Sequence, residues 1–413
     1  MNIKNILLIT DSAEQNWKIF FHKQEKDNQY FLHCINTSTE SVLQSIVKYS
    51  ALKNLQIEGI DTSEISKLAE EEARDYYLKL IKDLPEKKNS NGRSISELLT
   101  INGRNYWWYL PISEKNIWLD ESIHRLFEVQ RLININRKND FDEFLLLMDD
   151  EILKSVFIKF GELKGIRVST NNKSEFSLGT FNFFIKYYFQ AIKAAFGIIF
   201  KKTILLFSDY SSNYVIEKKT IGFYSFFPLF WKKLDEVHTQ DIFFNSIPSL
   251  IQKNNPVLHL IWLSPFKSFF KFIADLNKFF STQNTYVLES GITFKEAFSI
   301  LNYNIYLKLF AVFKSNNKIK IELENGLNIS GIIYADLLNS LISPTFFQTL
   351  LIDIAMKKID LSGIEKLLFR LEFQPFERAI LYNTKNKVKT IGFQHSALSK
   401  NFLNYIFIKD ELK

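Results

Sequence analysis

Short apolar runs alternate with longer segments of helical periodicity along most of this chain, and that alternation restricts the fold more than any other feature. Such runs read as strands buried on both faces, and a crossover helix after each strand demands a parallel sheet. The first round predicts strands over Ile6–Thr10, Tyr30–Ile35, Phe141–Met148 and Gly165–Ser169, with helices at Ala13–His22, Asp120–Asn134 and Asp150–Phe160. Within it, Ile65, Ala69, Ala73, Tyr76, Tyr77 and Leu80 recur at helical spacing. They predict an amphipathic helix from Thr62 to Leu84, capped by Asp61 to Glu64 and stopped by Pro85. The opening MNIKNILLITD lacks the long apolar core of a signal peptide and reads as a first strand.

A second round begins at Lys218. Strands are expected at Thr220–Phe226, Val257–Leu263, Thr285–Leu288, Lys366–Leu371 and Val388–Phe393. Helices are expected at Asp241–Lys253, Phe266–Phe280, Thr293–Phe313, Tyr334–Met356 and Phe376–Asn383. The fold class is therefore α/β, with two Rossmann-like wound domains joined by an amphipathic hydrophobic helix. Their bounds are 1–175, carrying a helical insertion at 60–135, a linker at 176–212, and 213–413.

The linker holds the most apolar stretch, Phe181–Phe207, interrupted by lysines at 186, 193, 201 and 202. No window reaches the roughly 18 uncharged apolar residues of a spanning helix. At 100° per residue Lys186, Lys193 and Lys201 fall within about 80° of one another. An exclusively basic polar face on an apolar helix predicts a helix lying in a membrane interface, with these lysines towards anionic head groups. The structural alternative is a helix buried between domains.

Composition narrows the function classes. The one cysteine, Cys34, permits no internal disulfide, multi-cysteine zinc site or iron–sulfur cluster, and a reducing compartment fits it. The net charge of +7 comes from lysine, since only nine of 52 basic residues are arginine, and the lysines are dispersed. Nucleic-acid grooves recruit arginine for bidentate contacts, so no nucleic-acid partner is expected. No GxGxxG fingerprint, P-loop, HExxH pair or GxSxG elbow occurs, and no metal constellation or bound cofactor is expected.

The densest polar constellation is Arg370-Leu371-Glu372-Phe373-Gln374-Pro375-Phe376-Glu377-Arg378, followed after one helix by Lys389-Thr390-Ile391-Gly392-Phe393-Gln394-His395-Ser396. Each half is a strand running out into a polar turn, and wound sheets bind ligands beyond the carboxyl ends of their strands. Were the two strands neighbours, Glu372 and His395 would share one crevice, and the amides opening the helix at Pro375 could receive an anion. The structural alternative has Glu372 paired with Arg378 and His395 capping a loop. Upstream, Tyr106-Trp107-Trp108-Tyr109 reads as core, and Ser113 to Asn116 as a tethering turn.

Together these two halves resemble the signature of a bacterial surface carbohydrate biosynthesis family, found with O-antigen, lipopolysaccharide and capsule genes. ARDYYLKLI from Ala73, GRSISELL from Gly92 and YWWYLPISEKN from Tyr106 resemble its amino-terminal signature. Phe376 stands where the family usually shows tryptophan, and Tyr109 to Pro111 is a local variant. The resemblance implies an incomplete GT-B-like glycosyltransferase, cytoplasmic and peripheral to the inner membrane. Its donor substrate would be a nucleotide-sugar and its acceptor a lipid-linked glycan or polysaccharide, met at the anionic inner leaflet. Relatives continue beyond the Gln-His-Ser block, so a separately encoded carboxyl-terminal domain is an expected partner.

Within that resemblance, Glu372 or His395 is the candidate catalytic base, by deprotonating an acceptor hydroxyl. Gln374, Gln394 and Ser396 would hold sugar hydroxyls, Arg378 would face a phosphate, and Glu377 would turn in from the first helical turn. Metal-independent transfer is the default. The competing expectation is a non-catalytic membrane-surface scaffold left by loss of the donor domain.

Overall fold

The computed structural model describes residues 4–11, 28–34, 42, 56–59, 63–89, 91–101, 103–115, 122–135, 141–170, 180–210, 216–233, 239–266, 268–305, 307–308, 319–394 and 403. The helix expected at Ala13–His22, the capping residues Asp61 and Thr62, and Asn116 lie outside these residues, as do His395 and Ser396.

The chain is α/β, with two parallel five-stranded sheets flanked by helices. The first contains β1 (Asn5–Thr10), β2 (Gln29–Cys34), β3 (Gln56–Gly59), β4 (Glu143–Leu147) and β5 (Arg167–Thr170) in the order β3-β2-β1-β4-β5. The second contains β6 (Thr220–Phe227), β7 (Val257–Leu263), β8 (Thr285–Val287), β9 (Ile364–Arg370) and β10 (Lys389–Phe393) in the order β8-β7-β6-β9-β10. Each sheet starts in its middle strand, winds outwards to one edge, then returns to the other side of that strand. A topological switch point results between β1 and β4, and another between β6 and β9. Every residue of β6 and β7 is buried, as expected of strands covered on both faces.

Helices α1 (Ser63–Asp83) and α2 (Ser122–Ile135) pair with each other, and α3 (Glu151–Lys164) covers the first sheet. Asp150 opens α3 by accepting from the Ile152 and Leu153 amides at 3.0 and 2.9 Å. Gly165, at φ 70°, closes it in the left-handed conformation that a side chain disfavours. Next come α4 (Thr180–Leu206), α5 (Phe269–Thr282), α6 (Ser330–Ile342), α7 (Pro344–Met356) and α8 (Pro375–Thr384).

Three helices differ from their sequence-based expectation. Tyr334–Met356 is not one helix but α6 and α7, bent by 52°. Pro344 has no amide to continue the ladder, so it starts a new helix behind the Ser343 cap. The helix expected at Thr293–Phe313 is broken: its first piece is Phe294–Ser299, helical residues resume at Ile305, Leu307 and Lys308, and 306 and 309–313 lie outside the described residues. The first piece is followed by a 3-10 turn that ends where Asn304 turns left-handed at φ 49°. Between Asp241 and Lys253 the helix shrinks to Ile247–Gln252. The Asp241 carboxylate instead accepts from the Phe243 and Phe244 amides and from Ser225 Oγ, and Thr239–Asp241 pairs with Trp231–Lys233.

One apolar cluster extends from Leu7 and Phe144 of the first sheet, through Trp107 and Leu110, to Leu367 and Ile380 of the second unit. The stretch 104–115, which precedes both β4 and β5 in the chain, packs on α6, α7 and α8.

Within α3, Gly161 lies against the first sheet. A Cβ there would press on Val168 Cγ2 and sit 3.3 Å from Ile166 O. Alanine is the better helix former by about 1 kcal/mol, but overpacking costs about 1–3 kcal/mol. Gly161→Ala is therefore expected to lower stability in urea unfolding, and a net gain would contradict this packing.

Candidate functional site

The turn after β9 is built around two buried or half-buried carboxylates. β9 and β10 are parallel neighbours with Arg370 opposite Phe393, and the Leu371 amide donates to Phe393 O at 3.0 Å. Both halves of the polar constellation therefore leave the sheet at the same edge. Phe373 has φ 58°, a left-handed conformation uncommon for a bulky residue. The buried Glu377 carboxylate holds it there, accepting from the Glu372 amide at 3.0 and 2.9 Å and also from the Phe373 amide. The carboxyl at the third position of α8 thus serves the amides of the turn ahead of the helix, not those that open it.

Glu372, Arg370 and Gln374 form a closed triangle. Arg370 Nη2 lies 3.1 Å from Glu372 Oε2 and donates to Gln374 Oε1 at 3.3 Å, while Gln374 Nε2 donates to Glu372 Oε2 at 3.1 Å. The guanidinium also sits on the rings of Phe230 and Phe243, 4.6 and 4.9 Å from their centroids. The carboxylate is thereby held at one oxygen on a residue still partly open to solvent.

Arg378 neither pairs with Glu372 nor faces open space. Its Nη1 donates to Trp108 O at 3.2 Å and to Ser113 Oγ, its Nη2 to Ser113 O at 2.9 Å, and it stacks on the Trp108 ring. A second tether lies one turn further along α8. Arg104 pairs with Asp353 of α7, whose Oδ1 also accepts from Tyr109 Oη at 2.9 Å and from Asn383 Nδ2 at 2.7 Å. Trp107 is fully buried, in keeping with the core reading of the aromatic turn.

Burial pushes the Glu377 carboxyl up to about 8, against the lowering effect of the Glu372 and Phe373 amides and Arg370. Burial likewise pushes Glu114, in the turn that Arg378 grips, up to about 7, with Arg378 opposing the rise and Glu372 adding to it. These are groups that change protonation near neutrality beside a solvent-accessible carboxylate.

The turn borders a cleft of about 750 Å³ between α4 and the carboxyl ends of β6, β7 and β9. Arg370, Gln374 and Phe376 form one side, Lys193 and Lys201 of α4 the other, and Trp262 and Ser264 at the end of β7 the back. This is the switch point of the second sheet. At the first sheet's switch point, the Asp11 carboxylate accepts from the amides of Asp149 and Asp150, at 2.8 and 3.0 Å.

Glu372, Gln374 and Glu377 are thus together, Arg378 serves as a tether, and Gln394 is exposed at the end of β10. Sequence reasoning missed Trp262 and the cleft-facing side of α4. A tryptophan next to the end of a strand that is otherwise aliphatic but for His259 was the available signal. Lys201 was expected at the membrane face, but it turns inwards to Glu289 at 2.9 Å, because that fully buried carboxylate, bonded otherwise to the Leu263 amide, has Lys201 as its counter-charge. Lys202 donates to Ser290 O and Ile292 O. Among the described residues no group of three or more His, Cys, Asp or Glu side chains could hold a metal ion. No protein-family model matches the chain, and a search among curated proteins finds no match.

An acid whose pKa is raised on folding keeps its proton after the unfolded chain has released it, so stability drains away as pH rises through that window. The fold is expected to lose stability between about pH 4.5 and 8 on account of Glu377, whose carboxyl is pushed up to about 8. Glu377→Gln keeps one acceptor for the Glu372 amide and should flatten this slope in denaturant unfolding. An unchanged slope would contradict the protonated, buried carboxyl.

Proposed function

We propose that this protein is a GT-B-like glycosyltransferase, or a component derived from one, that serves bacterial surface polysaccharide assembly. The two wound units correspond to paired α/β domains joined by α4. A sugar passes from a nucleotide-sugar to a lipid-linked acceptor at the cytoplasmic face of the inner membrane. The observation that carries this reading is the position of the Glu372 to Arg378 turn, at the carboxyl edge of the second sheet beside its switch point, where it overlooks the cleft.

Chemically, the acceptor hydroxyl attacks the anomeric carbon, the bond from that carbon to the nucleotide phosphate breaks, and the hydroxyl proton passes to a base. Glu372 is that base. Arg370 and Gln374 fix its orientation through Oε2, so the carboxylate meets its substrate without searching rotamers. His395 is the other candidate, and Gln374, Gln394 and Ser396 hold sugar hydroxyls.

The membrane-surface part of the reading is supported by α4. At 100° per residue Ile185, Phe189, Ile192, Phe196 and Phe200 fall within about 80° of one another, and each is 40–63% exposed. Lys186 and Lys193 border that stripe. By length and composition Phe183–Leu206 could cross a bilayer. Its other face, however, packs on α6 and α7, and Lys201 and Lys202 are bonded to the 288–292 segment. Those contacts favour a helix lying in the interface.

The test is a turnover screen of the full chain with nucleotide-sugars and lipid-linked acceptors in anionic vesicles. Transfer is expected, and Glu372→Gln should reduce it by about 10²-fold or more. Absence of transfer with every donor and acceptor, or full activity of Glu372→Gln, would contradict this assignment.

A further inference from the structure

Three cations and no carboxylate line the cleft between α4 and the second sheet. Lys201 lies 4.5 Å from the Trp262 ring centroid and is paired behind the wall with Glu289. Arg370 is paired with Glu372, and its buried Nε has no hydrogen-bond partner among the described residues. Lys193 is exposed and, unlike the other two, carries no ion pair among the described residues. The counter-charges sit beyond the lining, so the surface a ligand would meet is basic.

Much of the remaining wall is aromatic, including Phe230, Trp262, Phe266 and Phe376. Phe200 stands on the rim and stacks on Phe266, with centroids 6.1 Å apart. It also belongs to the exposed stripe of Phe189, Ile192 and Phe196 on α4. Cleft and stripe therefore form one apolar path with cations along it. A free phosphate or sugar would leave that path wet. A hydrocarbon chain anchored by an anionic head would cover it, which meets both the charge and the apolar surface.

We propose that this cleft binds a phosphorylated amphiphile. Its phosphate sits between Lys193 and Arg370 with Lys201 behind, and its hydrocarbon chain leaves past Phe200 along the α4 stripe. This deepens the function proposed above and rests on it for the reaction at the phosphate-bearing end. Charge-assisted contacts to two cations supply the affinity for the head, and burial of apolar surface supplies it for the tail.

Titration calorimetry of the full chain with octyl phosphate below its micelle concentration tests this, with octanol, inorganic phosphate and uridine diphosphate as separate titrants. Octyl phosphate should bind at least about tenfold more tightly than each of the others. Lys193→Glu should weaken it about tenfold, and Phe200→Ser by about threefold. Both side chains are exposed, and an unchanged thermal midpoint checks that the variants fold. Uridine diphosphate binding more tightly than octyl phosphate, or octyl phosphate binding that neither variant alters, would overturn the proposal. Turnover is not needed for the measurement. Octyl phosphate binding with the expected variant effects, in a chain that transfers no sugar, supports this site and sinks the transfer reaction. Sugar transfer in a chain whose octyl phosphate binding ignores both variants does the reverse.

Discussion

The buried guanidinium of Arg104 against the Asp353 carboxylate is the contact on which the arrangement around the cleft depends. Neither charge reaches water freely, so each would be costly alone, and their pairing fixes the 104–115 stretch onto α7 and α8. Tyr109 and Asn383 bond the same oxygen, and Lys357 faces the other, Oδ2, at 3.3 Å. From that anchor, Arg378 reaches the Trp108 and Ser113 carbonyls, and the first turn of α8 is immobilised. The same turn carries Glu377, whose carboxylate shapes the backbone at Glu372 and Phe373. A segment early in the chain thus sets the geometry of a turn near its end, through polar contacts inside an otherwise apolar core.

The two sheets repeat one winding order, yet their switch points differ in chemistry. In the first, the Asp11 carboxylate accepts from the Asp149 and Asp150 amides just ahead of α3. In the second, the corresponding carboxylate is Glu377, but it caps a turn at the side and leaves the cleft in front of β6 open. The second crevice also has α4 as a wall, which supplies lysines and exposed aromatics together. Basic lining, aromatic wall and an adjoining apolar stripe are the features on which the proposed phosphorylated amphiphile rests.

Much of the scaffold was legible in the residues. Val257–Leu263 reads as a buried strand because every position is apolar or tolerates burial, and the structure has that strand. The Arg370 to Arg378 and Lys389 to Ser396 stretches read as strands running out into polar turns, which would share a crevice only were the strands neighbours, and the strands are neighbours. What failed was local pattern against tertiary demand. Tyr334–Met356 keeps helical periodicity through Pro344, so hydrophobic spacing alone hides the break. Arg378 and Glu372 are close in sequence and suggested an ion pair, but Arg370 takes the carboxylate while Arg378 answers carbonyls brought from over 260 residues away. Lys201 shares a helix face with Lys186 and Lys193, but buried Glu289, which has it as counter-charge, pulls it inwards.

A double-mutant cycle on Arg104 and Asp353, read by denaturant unfolding, tests most directly the anchor on which the cleft depends. Asp353→Asn alone should cost about 3–5 kcal/mol, since it leaves the buried Arg104 without a counter-charge, and Arg104→Met less, since Lys357 still faces Asp353 Oδ2. The double variant should lose less than their sum by about 1.5 kcal/mol or more. Additive losses within about 0.5 kcal/mol would mean that the two charges do not depend on one another. The aromatic turn would then be held on α7 and α8 by something other than this pair.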